Sequence, residues 1–340
     1  PIKAEVKAVR EAVGVTEIAN FAKYEITGAG AEAWLLNVMT NSMPKKGRLV
    51  LTPMLNHQGK LIGDFTIAKA DDNRFLMWGS SQAQVYHMRW FETLLPKDGS
   101  VSIKPFGMKL VGLSIAGPKA RQVLERLTDE DVSNQAFKFM DFKEMVLADV
   151  PAMVNRITYT GDLGYEIWVS PEYERRLYEG IMAAGADQGI RNFGMRALLS
   201  MRLEKNFGTW YREFRPIYGA FEAGLDRFVK FDKGDFIGRA AALAEKENGP
   251  KLTRVFMVVD ATTADVMGDE PIWLNGKVVG WVTSGGYAHY VDQSLAQGYV
   301  PTELLSQDNL NFEIEILGEM CKARLQMDPP FDPAAARMRM

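Results

Sequence analysis

From Thr253 onward the chain changes character, and that change constrains the fold more than any other feature. Short alternating segments follow one another: Val255 to Asp260, Pro271 to Leu274, Lys277 to Thr283, Gly298 to Pro301 and Asn311 to Leu317. Alternation with a period of two is the mark of a half-buried strand. Asn275-Gly276 joins two of these segments, and that pair favours the positive φ angles of a two-residue hairpin turn. The pattern predicts a small antiparallel β-barrel or jelly roll over 249–340, entered through the Gly249-Pro250 break. Pro329 to Ala336, rich in Pro and Ala, reads as an irregular tail.

Upstream the pattern is mixed. Lys23 to Thr27 alternates and stops at Gly28-Ala29-Gly30, after which Trp34, Leu35 and Val38 have helical spacing. A similar unit recurs where Val111 to Ile115 runs into Gly117-Pro118 and then Ala120, Val123, Leu124 and Leu127. The recurrence suggests related α+β halves. Arg48 to Leu55 and Leu61 to Ala68 read as strands around the turn Asn56-His57-Gln58-Gly59, with a further strand at Arg74 to Trp78 and a helix over 82–95. Two more strands are expected near 141–169, around Thr160-Gly161-Asp162, and helices at about 171–188 and 194–206. The fold class is α+β.

Composition excludes several functions. With 340 residues, 47% of them hydrophobic, the chain can build two or three cores. A net charge of −3 lacks the basic footprint of a nucleic-acid partner. One cysteine, Cys321, rules out an internal disulfide and cysteine-based metal sites. The histidines, His57, His87 and His289, show no metal-ligand spacing, so no metal site is expected. No apolar run approaches ~18 residues, and the segment from Pro1 lacks a signal-peptide core, so neither a membrane span nor a secretory leader is expected. No G-x-G-x-x-G follows a strand and there is no P-loop, which argues against flavin, nicotinamide or nucleotide binding by this chain.

Two stretches break otherwise apolar patterns with polar residues. In Gly59-Lys60-Leu61-Ile62-Gly63-Asp64-Phe65, Asp64 falls inside a strand, where a carboxylate is costly unless hydrogen-bonded or functional. The pattern admits both a carboxylate tied to backbone N–H groups at a bulge and one held in a dry cavity as proton acceptor. In Tyr159-Thr160-Gly161-Asp162-Leu163-Gly164-Tyr165-Glu166, a Glu flanked by aromatics is either a solvent-facing hairpin residue or an acceptor for paired N–H donors of a flat heterocycle such as a pterin.

These two stretches, with Leu203-Glu204-Lys205, Phe221-Glu222-Ala223-Gly224-Leu225, Asp235-Phe236-Ile237-Gly238 and Ile272 to Gly280, carry a resemblance over nearly the whole chain. The sequence resembles the glycine-cleavage T-protein (aminomethyltransferase) family, and within it the folate-binding C-terminal half of dimethylglycine and sarcosine dehydrogenases. The resemblance implies three domains around a central folate cavity: a discontinuous α+β domain (1–50 and 140–248), an inserted α+β domain (51–139) and the barrel (249–340). It places a catalytic carboxylate at Asp64, beside N10 of tetrahydrofolate. Tyr159 and Glu166 are expected to bind the folate, with Met54 and Tyr165 beside them. T-proteins carry an Arg-Asp pair where this chain has Leu198-Leu199, so Arg196 or Arg202 is expected to substitute in folate-tail contacts. T-proteins also have Asp-Asp at Gly63-Asp64 and a Tyr at Leu51. The loop Thr209 to Tyr218 departs from the family pattern and maps onto no known role.

The implied reaction joins a formaldehyde-level unit to N5 and N10 of tetrahydrofolate, giving 5,10-methylenetetrahydrofolate. Lacking a dinucleotide fingerprint, the chain would receive that unit from an oxidase or dehydrogenase, with FAD on a separate domain or partner subunit. Two other readings stand beside it: methyl transfer of the dimethylsulfoniopropionate demethylase type, and a folate-binding or assembly module without catalysis. A cytoplasmic location is expected, or the mitochondrial matrix in a eukaryote.

Overall fold

A computed structural model describes residues 1–308 and 310–340. It opens with α1 (Ile2–Glu11), β1 (Gly14–Glu17), β2 (Ala22–Thr27) and α2 (Ala31–Val38). Next come β3 (Leu49–Leu55), β4 (Leu61–Asp71), β5 (Arg74–Gly79), α3 (Gln84–Leu94), β6 (Ser102–Pro105), β7 (Val111–Ala116) and α4 (Ala120–Glu125). The middle of the chain forms β8 (Phe142–Leu147), β9 (Val150–Asn155), β10 (Gly164–Val169), α5 (Pro171–Ala184), β11 (Arg191–Asn192), α6 (Met195–Glu204) and α7 (Arg239–Asn248). The barrel strands are β12 (Leu252–Val259), β13 (Pro271–Leu274), β14 (Lys277–Ala288), β15 (Gln293–Pro301), β16 (Phe312–Ile316) and β17 (Glu319–Leu325). Among the described residues no helix is long and apolar enough to cross a membrane.

The strands form two open sheets and a closed barrel. One sheet has the order β11-β1-β7-β10-β9-β8, the other β3-β4-β5-β2-β6. The two strand–glycine–helix units expected from the sequence fall in different sheets: β2 leads through Gly28 to α2, and β7 leads through Gly117 to α4. Both glycines hold positive φ, 119° and 130°. A side chain at Gly28 would meet the Ser100 carbonyl oxygen at 2.1 Å, so only glycine lets the chain turn this closely. Thr160-Gly161-Asp162 lies between two antiparallel strands as expected, β9 and β10, and β8 adds a third.

The barrel runs β12-β15-β14-β13-β16-β17 and closes through pairing of β12 with β17. Asn275 and Gly276 have φ of 52° and 75°, as the hairpin turn requires. Val255, Met257, Val259, Ile272, Val282 and Ile314 belong to its core. Closure leaves the barrel no free edge.

The two open sheets meet face to face. Leu49, Ala68, Leu76 and Trp78 of one pack with Phe142 and Trp168 of the other, and the two indoles lie 5.9 Å apart. Gly112 makes room for this contact, since a Cβ there would lie 2.5 Å from the Trp168 ring. The aromatic plug seals one part of the layer between the sheets. The candidate site borders on that layer.

Candidate functional site

Alternation along β4 decides where Asp64 points. Phe65 and Ile67 turn into the core that also holds Phe91 and Met77. Ala68 turns the other way, into the cluster with Trp78 and Trp168. Asp64 and Thr66 share the Ala68 face, so Asp64 is directed at the six-stranded sheet. It is preceded by Gly63, where a Cβ would lie 2.9 Å from His87 Nε2. That nitrogen donates to the Ile62 carbonyl at 2.8 Å. Burial holds the His87 pKa down at about 4, so the ring is neutral behind the strand that carries Asp64.

Glu166 answers from the opposite sheet. On β10, Tyr165, Ile167 and Val169 enter the outer core, while Trp168 enters the inter-sheet cluster and Glu166 shares its face. Glu166 lies in register with Ser114 of β7 and Asn155 of β9. The Asn155 amide donates to its carboxylate at 3.5 Å. Two carboxylates thus project from facing sheets into one layer.

Neither carboxylate has a cationic partner among the described residues that offsets its desolvation. Burial pushes Asp64 from 3.8 up to about 6 and Glu166 from 4.5 up to about 7. Both side chains keep some accessible surface, as do Tyr159 and Arg254, although all four lie deep below the molecular surface. A partly accessible side chain enclosed by protein in this way is placed to meet a ligand.

Tyr159 sits within the field of Asp64, Arg202 and Glu213, and its pKa is pushed up to about 12, chiefly by burial. Its hydroxyl donates to the Gly208 carbonyl at 2.7 Å, and its ring stacks on Phe207 with centroids 6.0 Å apart. Arg202 is buried and donates to the Phe207 carbonyl at 2.8 Å, to Glu213 at 3.2 Å and to Gln297 at 3.3 Å. Arg254 of β12 lies nearby, with burial lowering its pKa and, among the described residues, a single side-chain hydrogen bond, to the Asn206 carbonyl at 3.3 Å. A cation this deep with so little compensation is suited to an anionic or strongly polar ligand group.

The structure brings Asp64, Tyr159 and Arg202 into one electrostatic neighbourhood and turns Glu166 toward the same layer. Three other expected residues lie elsewhere. Tyr165 faces away from Glu166 and stacks on Phe137 at 5.6 Å inside the outer core. Met54 pairs with Gly63 and is buried in the core on the Phe65 side of β4. Arg196 is exposed on α6, whereas Arg202, on the same helix, is buried.

Sequence reasoning missed Glu213 and Arg254. Glu213 is fully buried and accepts from Thr209 N–H, Arg202 and Thr283. It lies in the unmapped run Thr209 to Tyr218, where a lone carboxylate among aromatics was the available signal. Asp162, within a quoted motif, is also buried and holds both Arg10 and Arg337.

Comparisons with known proteins bear on the family and the fold. The GCVT N-terminal domain model matches residues 1–233, and the glycine cleavage T-protein C-terminal barrel domain model matches residues 253–332. Mitochondrial dimethylglycine dehydrogenase of Mus musculus is 37% identical over 343 residues, covering 100% of this chain and 39% of that protein. The chain therefore spans well under half the length of that relative. Aminomethyltransferase of Caldanaerobacter subterraneus subsp. tengcongensis is 32% identical, covering 93% of this chain and 83% of that protein. The crystal structure of glycine cleavage system aminomethyltransferase T from Bartonella henselae superposes with a TM-score of 0.87 at 22% identity, over 98% of this chain and 90% of that one, and so shares the fold. A domain model matching most of the chain, and an aminomethyltransferase matched nearly end to end, place this protein in the glycine-cleavage T-protein family of folate-dependent aminomethyltransferases.

Proposed function

We propose that this chain captures a one-carbon unit at the formaldehyde oxidation level, released by oxidative N-demethylation of a methylated amine, as 5,10-methylenetetrahydrofolate. The observation that carries the reading is the pair of uncompensated carboxylates, Asp64 and Glu166, projecting from facing sheets into one layer. Tetrahydrofolate can answer both. Its pterin ring offers adjacent N–H donors to Glu166, a bidentate arrangement that favours the ionised carboxylate. Its N10 must lose a proton when the five-membered ring closes. Asp64, with a pKa of about 6, is ionised at neutral pH yet basic enough to take that proton. Tyr159, Arg202 and Arg254 are left to hold the rest of the folate. Holding the electrophile beside N5 in an enclosed site supplies proximity and limits its escape.

The one-carbon unit would come from an oxidising flavin domain or partner subunit. The likeness to a dimethylglycine dehydrogenase, of which this chain matches 39%, supports that arrangement. The test is formation of methylenetetrahydrofolate from formaldehyde, corrected for the uncatalysed reaction, at saturating tetrahydrofolate so that weaker binding does not imitate slower chemistry. Asp64→Asn should slow ring closure by about 10²-fold while the fold is retained. A variant with the wild-type rate would refute the catalytic role and leave a binding module.

A further inference from the structure

Glu213 is not among the residues the resemblance names, yet it is hydrogen-bonded through both carboxylate oxygens and its backbone carbonyl. It is fully buried in the loop between α6 and α7. One carboxylate oxygen accepts the Thr209 N–H at 2.9 Å and Arg202 Nη1 at 3.2 Å. The other accepts the Thr283 hydroxyl of β14 at 2.7 Å. Its backbone carbonyl accepts the Tyr299 hydroxyl of β15 at 2.7 Å. One residue thereby ties its own loop, helix α6 and two barrel strands together.

The Thr209 N–H and the Gly208 C=O belong to the same peptide group. That group is trans and planar, so its two polar ends point in opposite directions and turn as one body. Glu213 holds the N–H end. Tyr159 donates its hydroxyl to the C=O end at 2.7 Å. A carboxylate accepting from the N–H also polarises the amide, which makes its carbonyl a stronger acceptor for the tyrosine.

We propose that Glu213 is a positioning residue that sets the Tyr159 side chain through the Gly208–Thr209 peptide, and that it fixes Arg202 from the same carboxylate. The assignment of Tyr159 to folate binding rests on the function proposed above; the mechanical link from Glu213 to Tyr159 does not. The barrel is linked to Tyr159 by this route, because Thr283 and Tyr299 hold the loop that holds Tyr159.

The isosteric change Glu213→Gln removes the charge and places an amide NH2 against donors. Tyr159→Phe removes the other end of the link. A structural role alone predicts independent losses; the proposed link predicts coupled ones. Two readouts are taken on the single variants and the double variant. The first is the KM for tetrahydrofolate in formaldehyde capture, split from kcat. Each single change should raise KM by about tenfold with kcat changed far less, and the double variant should be no worse than the poorer single. The second uses ligand-free protein: amide hydrogen exchange at Thr209 should accelerate at least about tenfold in Glu213→Gln and measurably in Tyr159→Phe. Additive KM effects, or Thr209 exchange untouched by Tyr159→Phe, overturn the link. If folate capture itself is absent, the function falls, and the exchange data still decide the link. Should Glu213→Gln not fold, Thr283→Val, which removes one donor to the same carboxylate, takes its place in both readouts.

Discussion

Glu166→Gln should make the ligand-free protein more stable, and increasingly so as pH rises. Burial raises Glu166 from 4.5 to about 7, so between those values the folded state keeps a proton that the unfolded chain has released. The associated stability is fully present below pH 4.5 and is lost as pH climbs through 7. At ~1.4 kcal/mol per pH unit, the wild type forfeits about 1 kcal/mol at pH 5 and about 3 kcal/mol at pH 8. Glutamine is neutral throughout and keeps a carbonyl oxygen for the Asn155 amide, which now donates at 3.5 Å. The variant should therefore gain about 1 kcal/mol at pH 5 and about 3 kcal/mol at pH 8. For a chain of 340 residues the larger figure corresponds to roughly 4 °C in Tm. Thermal melts of both proteins without folate, at steps from pH 5 to pH 8, give the comparison. A difference that stays flat with pH, or a wild type that is the more stable at pH 8, would show that Glu166 does not lie desolvated. Adding tetrahydrofolate should reverse the order, because pterin donors stabilise the ionised carboxylate that glutamine cannot supply.

Arg10→Met should cost about 3–5 kcal/mol, read as a fall in the urea midpoint, since it leaves Asp162 and Glu204 buried with a shared cation gone; retention of the wild-type midpoint would show the cluster to be solvated. Trp168→Ala should cost about 3–5 kcal/mol by emptying the plug between the sheets. It should also raise the KM for tetrahydrofolate, and an unchanged KM would separate the plug from the cavity. Purified alone, the chain should show no flavin absorbance and should not oxidise dimethylglycine or sarcosine; a co-purifying flavin would overturn the division of labour proposed above.

Local chemistry made much of the fold legible. Asn275-Gly276 marked its hairpin because both residues tolerate positive φ, and Gly28 and Gly117 marked strand ends for the same reason. The strand β17 escaped because the turn at Leu317-Gly318 resembled an ending, although Cys321 and Ala323 continue the inward alternation. α7 also escaped, hidden between the glycines at 238 and 249. At the site, short-range periodicity carried more information than was drawn from it. Adjacent strand residues face opposite ways, so Tyr165 cannot share a surface with Glu166, nor Met54 with the Asp64 face of the sheet. Six residues on a helix turn roughly 600°, which sets Arg196 and Arg202 on different faces. The long-range bonding of Glu213 and Arg254 was illegible for another reason. Their partners, Thr283 for one and Asn206 for the other, lie far along the chain, and no spacing rule connects them.

The buried arginine of α1 also bears on how the molecule is made. Arg10 lies under the Phe331 ring at 3.6 Å, and its backbone carbonyl accepts from Arg337, which also clasps Asp162. During synthesis, α1 leaves the ribosome hundreds of residues before these partners exist. Both open sheets can pair while Arg10 and Asp162 still await Phe331 and Arg337. Contacts of such sequence separation are slow to close, because the intervening chain must first be ordered. The segment carrying Phe331 and Arg337 therefore fastens α1 only after everything between them has been made, and a ribosome stalled between the two would hold a polypeptide in which α1 still lacks that clasp.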